Sequence, residues 1–151
     1  MITTPETVRP SVGLDRPLYH ATIGQAFGRF WRKYTTVRGR ASRSEFWWWF
    51  LIYAGVGVLL SIANQVVVGA APAGQTDTAT IIRHAVAVSI ASTAWSLVNL
   101  VGGITITVRR LHDTDRRGWW WFIQLVPILG SITMIILVAL PTDPAGRRFD
   151  G

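Results

Sequence analysis

Phe46-Trp-Trp-Trp-Phe-Leu-Ile-Tyr-Ala-Gly-Val-Gly-Val-Leu-Leu-Ser-Ile-Ala-Asn-Gln-Val-Val-Val68 runs for 23 residues without one Asp, Glu, Lys, Arg or His. A helix needs about 20 residues to cross the roughly 30 Å hydrocarbon core of a bilayer, and a charge near the centre of that core is costly. Two further stretches read the same way, Ala85–Val108 with 24 residues and Trp119–Leu140 with 22. They take up nearly half of a 151-residue chain that has room for one domain. Half of the residues are hydrophobic and 15% are charged, against about 25% charged in ordinary soluble domains. A water-soluble fold would have too little polar surface to cover three such helices. The sequence therefore predicts an all-α, polytopic membrane bundle of three transmembrane helices, 46–68, 85–108 and 119–140.

The formal net charge is +7, which in a soluble chain would suggest nucleic acid. Position points elsewhere. Eight basic residues precede the first span and four (Arg109, Arg110, Arg116, Arg117) lie between the second and third. Only Arg83 lies in the first loop, and Arg147 and Arg148 in the tail. Twelve against three is a positive-inside bias. It predicts a cytoplasmic N-terminus and second loop, with the first loop and C-terminus outside, and leaves no need for a nucleic-acid partner. The chain has no cysteine, so disulfide and thiolate chemistry are excluded. The first eighteen residues are polar, contain Pro5, Pro10 and Pro17, and lack the apolar core of a signal peptide. Residues 1–21 read as a disordered polar tail and 22–151 as the membrane domain.

Thr22 and Gln25 have capping-box spacing. After them Ile23, Phe27, Phe30 and Tyr34 recur at helical spacing, with Arg29, Arg32 and Lys33 on the other side. This predicts an amphipathic interfacial helix over 22–36, its stripe facing acyl chains or the chain's own spans. Ser42-Arg-Ser-Glu45 is a second capping signature at the start of the first span, so Glu45 reads as a cap rather than a catalytic acid. Trp47, Trp48 and Trp49 open the first span and Trp119, Trp120 and Trp121 the third. Three successive helix positions form a collar, which suits anchors at the headgroup boundary.

Ala54, Gly57 and Ser61 on the first span face the logic of close helix packing, as do Ser89, Ser92, Ser96, Asn99 and Gly103 on the second. Asn99 reads as an interhelical hydrogen bond, with a pore lining as the alternative. Pro127 should kink the third span near Ile123. The loop Gly69–His84 reads as flexible, and residues 141–151 as a polar tail.

Two segments go beyond generic membrane features: Gly39-Arg-Ala-Ser-Arg-Ser-Glu-Phe-Trp47, preceded by Phe30, Trp31 and Lys33-Tyr34, and Arg109-Arg-Leu-His-Asp-Thr-Asp-Arg-Arg-Gly-Trp-Trp120. Together they closely resemble the signature segments of the family catalogued as domain of unknown function 805, small bacterial inner-membrane proteins. The resemblance covers about residues 24–151. It implies a compact helical bundle in the plasma (inner) membrane and supplies no activity. The tail resembles that family's closing Gly-x-Asn-Arg-Phe-Gly, with Arg147 and Asp150 standing at the Asn and final Gly positions.

His112 and Asp113 are the one pair with a reactive look. A metal site needs three or four ligands, and the other histidines are His20 in the tail and His84 across the membrane, so no metal or cofactor is expected. No nucleophile elbow and no phosphate-cradling loop are present, and the chain is not read as an enzyme. Gly39, Glu45, Leu111, His112, Asp113 and Gly118 read as structural. Arg109 and Arg110 complement the dipole at the end of the second helix. Asp113 or Asp115 is expected to cap the third helix, and Asp113 to pair with an arginine of Arg38-Gly-Arg40. Fourteen of fifteen basic residues are Arg, whose guanidinium binds phosphate in a bidentate, planar way. Arg38, Arg40, Arg43, Arg109, Arg110, Arg116 and Arg117 beside the tryptophans are therefore expected to form a cytoplasmic face for anionic lipid headgroups or a protein partner. The alternative is a small homo-oligomeric transporter or channel for a neutral solute, resting on Asn99 and Pro127.

Overall fold

The computed structural model of the protein describes residues 13–14, 16–69 and 77–150. Among these, all regular structure is helical. Four α-helices, α1 (Ile23–Arg32), α2 (Arg43–Gly69), α3 (Thr78–Asp113) and α4 (Leu129–Ala139), are joined by two 3-10 helices, Gly118–Leu125 and Pro144–Phe149.

Local chemistry sets the starts. At α1 the Thr22 side chain accepts from the Gln25 amide (3.4 Å), and Gln25 Oε1 accepts from the Thr22 amide (2.9 Å). At α2 the Glu45 amide donates to Ser42 Oγ (3.2 Å) and the Ser42 amide to Glu45 Oε2 (2.8 Å). Each box satisfies two amides that the first helical turn leaves free. Asp77 caps α3 by accepting from the Ala79 amide (3.3 Å).

α2 and α3 are the two helices long and apolar enough to cross a membrane. Only 6% and 11% of their most apolar windows are buried in the protein, and Leu59, Ile90 and Leu97 are each more than 60% exposed. A core helix of a soluble protein would hide these side chains; a lipid-facing helix has no need to. Toward their distal ends α2 and α3 have mainly each other. Tyr53 stacks on Trp95 (6.3 Å), and Trp95 Nε1 donates to the Tyr53 carbonyl (3.3 Å).

The expected third span differs most. In place of a helix over 119–140, the chain forms the Gly118–Leu125 3-10 helix, a break at 126–128, and α4. Pro127 lacks an amide to continue the ladder, and Ile128 takes φ 63°, outside helical space. A Cβ on Gly130 would lie 1.9 Å from the Ile123 carbonyl oxygen, so the two legs meet backbone to backbone. Each leg is only about 16 Å long at 2.0 Å or 1.5 Å per residue, about half a hydrocarbon core. Both ends of this hairpin lie at the C-terminal end of α3. Gly118 sits against Val108 and His112, while the Val138 carbonyl accepts from Arg110 Nε (2.8 Å).

The tail then packs on the second loop: the Asp143 amide donates to the Asp113 carbonyl (2.9 Å) and the Phe149 ring stacks on His112 (4.2 Å). The C-terminal tail thus lies at the same end of the bundle as the second loop. Both ends of the third apolar stretch lie at that same end of the bundle, and Arg148 of the tail pairs there with Asp115.

Other boundaries move less. α1 ends at Arg32 rather than 36, and α3 starts at Thr78, which takes residues 78–84 out of the expected flexible loop; residues 70–76 of that loop lie outside the described residues. Of the expected tail 1–21, residues 1–12 and 15 also lie outside. Residues 16–21 are fastened to the start of α2: the Leu18 amide donates to Glu45 Oε2 (3.3 Å), the Ala21 amide to Ser44 Oγ (2.9 Å), and Trp48 Nε1 to the Ala21 carbonyl (2.9 Å).

Candidate functional site

The buried apolar core is small and one-ended: Phe30, Ala41, Phe46, Ile106, Leu111, Met134, Leu137 and Val138 gather where α1, the start of α2, the end of α3 and α4 meet. The signature segments converge there, and so does most of the buried charge. Arg29, Lys33, Arg40, Arg109 and Arg110 are buried, as are Glu45 and Asp113. Cations outnumber carboxylates, and main-chain oxygens make up the difference.

Asp113 is the hub. Its carboxylate accepts from Arg110 Nη1 on the same helix and from Thr142 Oγ1 (2.8 Å), and it faces Arg40 Nη1 at 3.4 Å. The Tyr19 hydroxyl donates to it at 3.4 Å. Asp113 thus ties the N-terminal segment, the α1–α2 loop, α3 and the tail to one point, and caps no helix. The 3-10 helix after it starts from Arg117 with no side-chain cap, because Asp113 is occupied and Asp115 turns away in a left-handed conformation (φ 57°) to pair with Arg148 (2.9 Å). Asp is among the few non-glycine residues that adopt this conformation readily.

Arg110 is fully buried. Besides Asp113 it donates to the Val138 and Leu140 carbonyls, the last oxygens of α4, which have no amide of their own helix to accept from. One side chain therefore caps α4 and holds the returning leg of the hairpin. Arg40 makes a two-pronged bond to Asp150, Nε–Oδ1 2.7 Å and Nη2–Oδ2 2.8 Å. The Asp150 hydrogen bond raises the Arg40 pKa above its ordinary value, against the lowering effect of burial. Asp150, where the tail departs from the closing pattern seen in sequence, is thus the anchor of that tail. Glu45 pairs with Arg29, whose guanidinium also donates to carbonyls of the N-terminal segment, among them Gly13 and Leu14. Lys33 donates to the Leu14 and Arg38 carbonyls. Arg29 and Lys33, on the side of α1 away from its apolar stripe, are thus held inside the protein.

Arg109 is also buried, with Nε on the Thr105 carbonyl (3.4 Å) and no hydrogen-bond partner for Nη2 among the described residues. Arg40, Arg109 and Arg110, expected on a binding face, are consequently internal. Arg38, Arg43 and Arg117 are exposed and Arg116 half-exposed, its guanidinium 5.5 Å from the Trp120 ring centre. The collars divide in the same way. Trp49 stacks on Phe30 (5.8 Å) and Tyr53 (5.8 Å) and faces Asn99 Oδ1 at 3.4 Å. Trp47 and Trp121 are half-buried against the core, whereas Trp119 is 76% exposed and Trp48 and Trp120 are partly so. Asn99 is buried, its amide donating to the Trp95 carbonyl (2.9 Å).

His112 and Asp113 do not act on each other. The imidazole Nδ1 meets the Gly39 carbonyl (3.2 Å) and its face is covered by Phe149. No group of three or more His, Cys, Asp or Glu capable of holding a metal occurs among the described residues. Leu111 is fully buried between these polar contacts.

Two long, apolar and largely exposed helices fastened at one end by an ionic cluster, with arginines and tryptophans around it, are the make-up of a small helical membrane protein. The chain belongs to the family described as "Protein of unknown function (DUF805)", whose model matches residues 34–151. It is 25% identical over 118 residues to the inner membrane protein YhaH of Escherichia coli (strain K12), a match covering 78% of this chain and 87% of that protein. It is equally similar to the inner membrane protein YhaI of the same strain, over 78% of this chain and 86% of YhaI. No solved structure matches the chain.

Proposed function

We propose that this protein is a non-enzymatic, multi-pass component of the bacterial inner membrane whose cytoplasmic rim binds anionic lipid headgroups. In this reading α2 and α3 span the bilayer, the 118–139 hairpin enters from the cytoplasmic side and returns, and both termini are cytoplasmic. α1 lies in the interface, with exposed Ile23, Phe27 and Trp31 toward the acyl chains. Thirteen described cations, from Arg16 through Arg43 and from Arg109 through Arg148, then lie on one side and Arg83 alone lies on the other, as the charge bias of inner-membrane proteins requires.

One observation carries the headgroup reading. Arg38, Arg43 and Arg117 stay exposed beside tryptophans while their neighbours Arg40, Arg109 and Arg110 are taken up internally. Juxtamembrane cations of this kind each contribute about 1 kcal/mol of attraction to an anionic leaflet.

Native mass spectrometry of the gently extracted full chain tests it. Retained phosphatidylglycerol or cardiolipin, reduced severalfold in Arg38→Gln/Arg43→Gln/Arg117→Gln, is the expected result. A bare protein, or adducts unchanged by the substitutions, overturns the reading. A stoichiometric protein carried through extraction and lost in the same variant would replace lipid by a protein partner.

A further inference from the structure

A pocket of about 340 Å³ opens between the start of α2 and the hairpin, walled by Phe46, Trp47 and Phe50 on one side and Gln124, Ser131 and Ile135 on the other. We infer that this pocket seats one acyl chain of an anionic phospholipid whose phosphate rests on Arg43. The inference deepens the headgroup reading by assigning it a site.

Three features lead to it. Arg43, Phe46, Trp47 and Phe50 stand at i, i+3, i+4 and i+7 on α2, so they share one face of the helix. Arg43 is exposed, with no ion pair or hydrogen bond among the described residues. Phe50 lies about 10 Å further along the axis. A phosphate on Arg43 therefore leaves its ester-linked chain running past the two aromatic rings at the depth of the pocket.

The hairpin supplies the other wall and also the opening. Because it turns back at 126–128, the pocket gives onto hydrocarbon rather than onto a third spanning helix. Its volume falls at the lower end of the roughly 300–1,000 Å³ usual for small-molecule sites, which suits one chain rather than a whole lipid.

An apolar pocket in a bilayer gains no hydrophobic energy from a lipid tail, since the competing solvent is equally apolar. Selectivity must then come from the cation at its mouth. The geometry accordingly assigns packing to the aromatic wall and choice of lipid to Arg43.

The full chain in phosphatidylcholine vesicles, with a trace of phosphatidylglycerol carrying a diazirine midway along one acyl chain, tests this. Mapped crosslinks should fall on Phe46, Trp47, Phe50 and Ile135 in preference to the open lipid face at Leu59 and Ile90. The same label on phosphatidylcholine should mark the pocket roughly fivefold less, and Arg43→Gln should erase that difference. Ser131→Phe, which fills the pocket from an exposed position, should remove the pocket crosslinks from both lipids. Crosslinks spread evenly over the lipid-facing residues overturn the pocket. If phosphatidylglycerol is still retained by native mass spectrometry in that case, the headgroup reading stands without it. Pocket crosslinks indifferent to headgroup and to Arg43→Gln overturn the assignment of selectivity to Arg43.

Discussion

Arg110 and Asp113, one turn apart at the end of α3, form an ion pair from which solvent is wholly excluded, both side chains being 0% exposed. Removing both charges from water is expensive, and such a pair persists only when the remaining donors and acceptors are satisfied. Here they are: Arg110 spends its other donors on the end of α4, and Asp113 its other oxygen on Arg40 and Tyr19.

Asp113→Asn should therefore destabilise the protein by about 3–5 kcal/mol, the usual cost of leaving a buried charge without its partner. Thermal unfolding in mild detergent, followed by size-exclusion chromatography, reads the loss. A melting temperature equal to the parent's would mean that the cluster is solvated and the fold does not depend on it.

The two adjacent arginines should behave differently despite equal burial. Arg110→Met takes from Asp113 the nearer of its two arginines, leaves the Val138 and Leu140 carbonyls without their donor, and should cost about 3–5 kcal/mol. Arg109 has no carboxylate partner and one unsatisfied nitrogen, so Arg109→Met should cost less than about 1.5 kcal/mol, in the range of an ordinary volume-conserving change. Equal destabilisation by the two would show that Arg109 has a strong partner in the membrane.

At Glu45 the substitute decides the outcome. Glu45→Ala removes the Arg29 pair and the acceptor for the Ser42 amide together. Glu45→Gln keeps a side-chain oxygen for that amide and loses only the charge. We expect Ala to be worse than Gln by about 1 kcal/mol, the usual value of a helix cap, in parallel detergent-unfolding curves.

Gly146 lies against the end of α3, and a Cβ there would stand 2.4 Å from the His112 carbonyl oxygen. Gly146→Val should lift the tail, at the roughly 1–3 kcal/mol typical of overpacking, and separate Phe149 from His112. Trypsin cleavage after Arg147 and Arg148 in inverted vesicles should become severalfold faster than in the parent. An unchanged rate would show that the tail accommodates the side chain in place.

The absence of cysteine makes topology directly measurable. Single substitutions Arg38→Cys and Arg147→Cys should react with an impermeant maleimide only from the cytoplasmic side, and Thr78→Cys only from the opposite side. Labelling of Arg147→Cys from outside would restore a third full span and dissolve the hairpin.

Hydropathy alone was enough to place the first two long helices, because a run of uncharged residues of bilayer length has few other homes. Capping chemistry was equally local: Thr22/Gln25 and Ser42/Glu45 act within one helical turn, so their spacing reveals them. The third stretch has the same length and polarity as the others, and its sequence showed Pro127 only as a kink. Whether a proline bends a helix or ends it depends on what receives the freed ends. Here Arg110, brought from α3, takes up the Val138 and Leu140 carbonyls at the end of α4. The arginines divide for the same reason. Arg38, Arg40 and Arg43 are indistinguishable by composition and spacing. Only the packed structure puts Asp150 and Asp113 beside Arg40 while leaving Arg43 exposed, because an ion pair between residues 110 positions apart is fixed by how the helices meet and not by the order of residues along the chain.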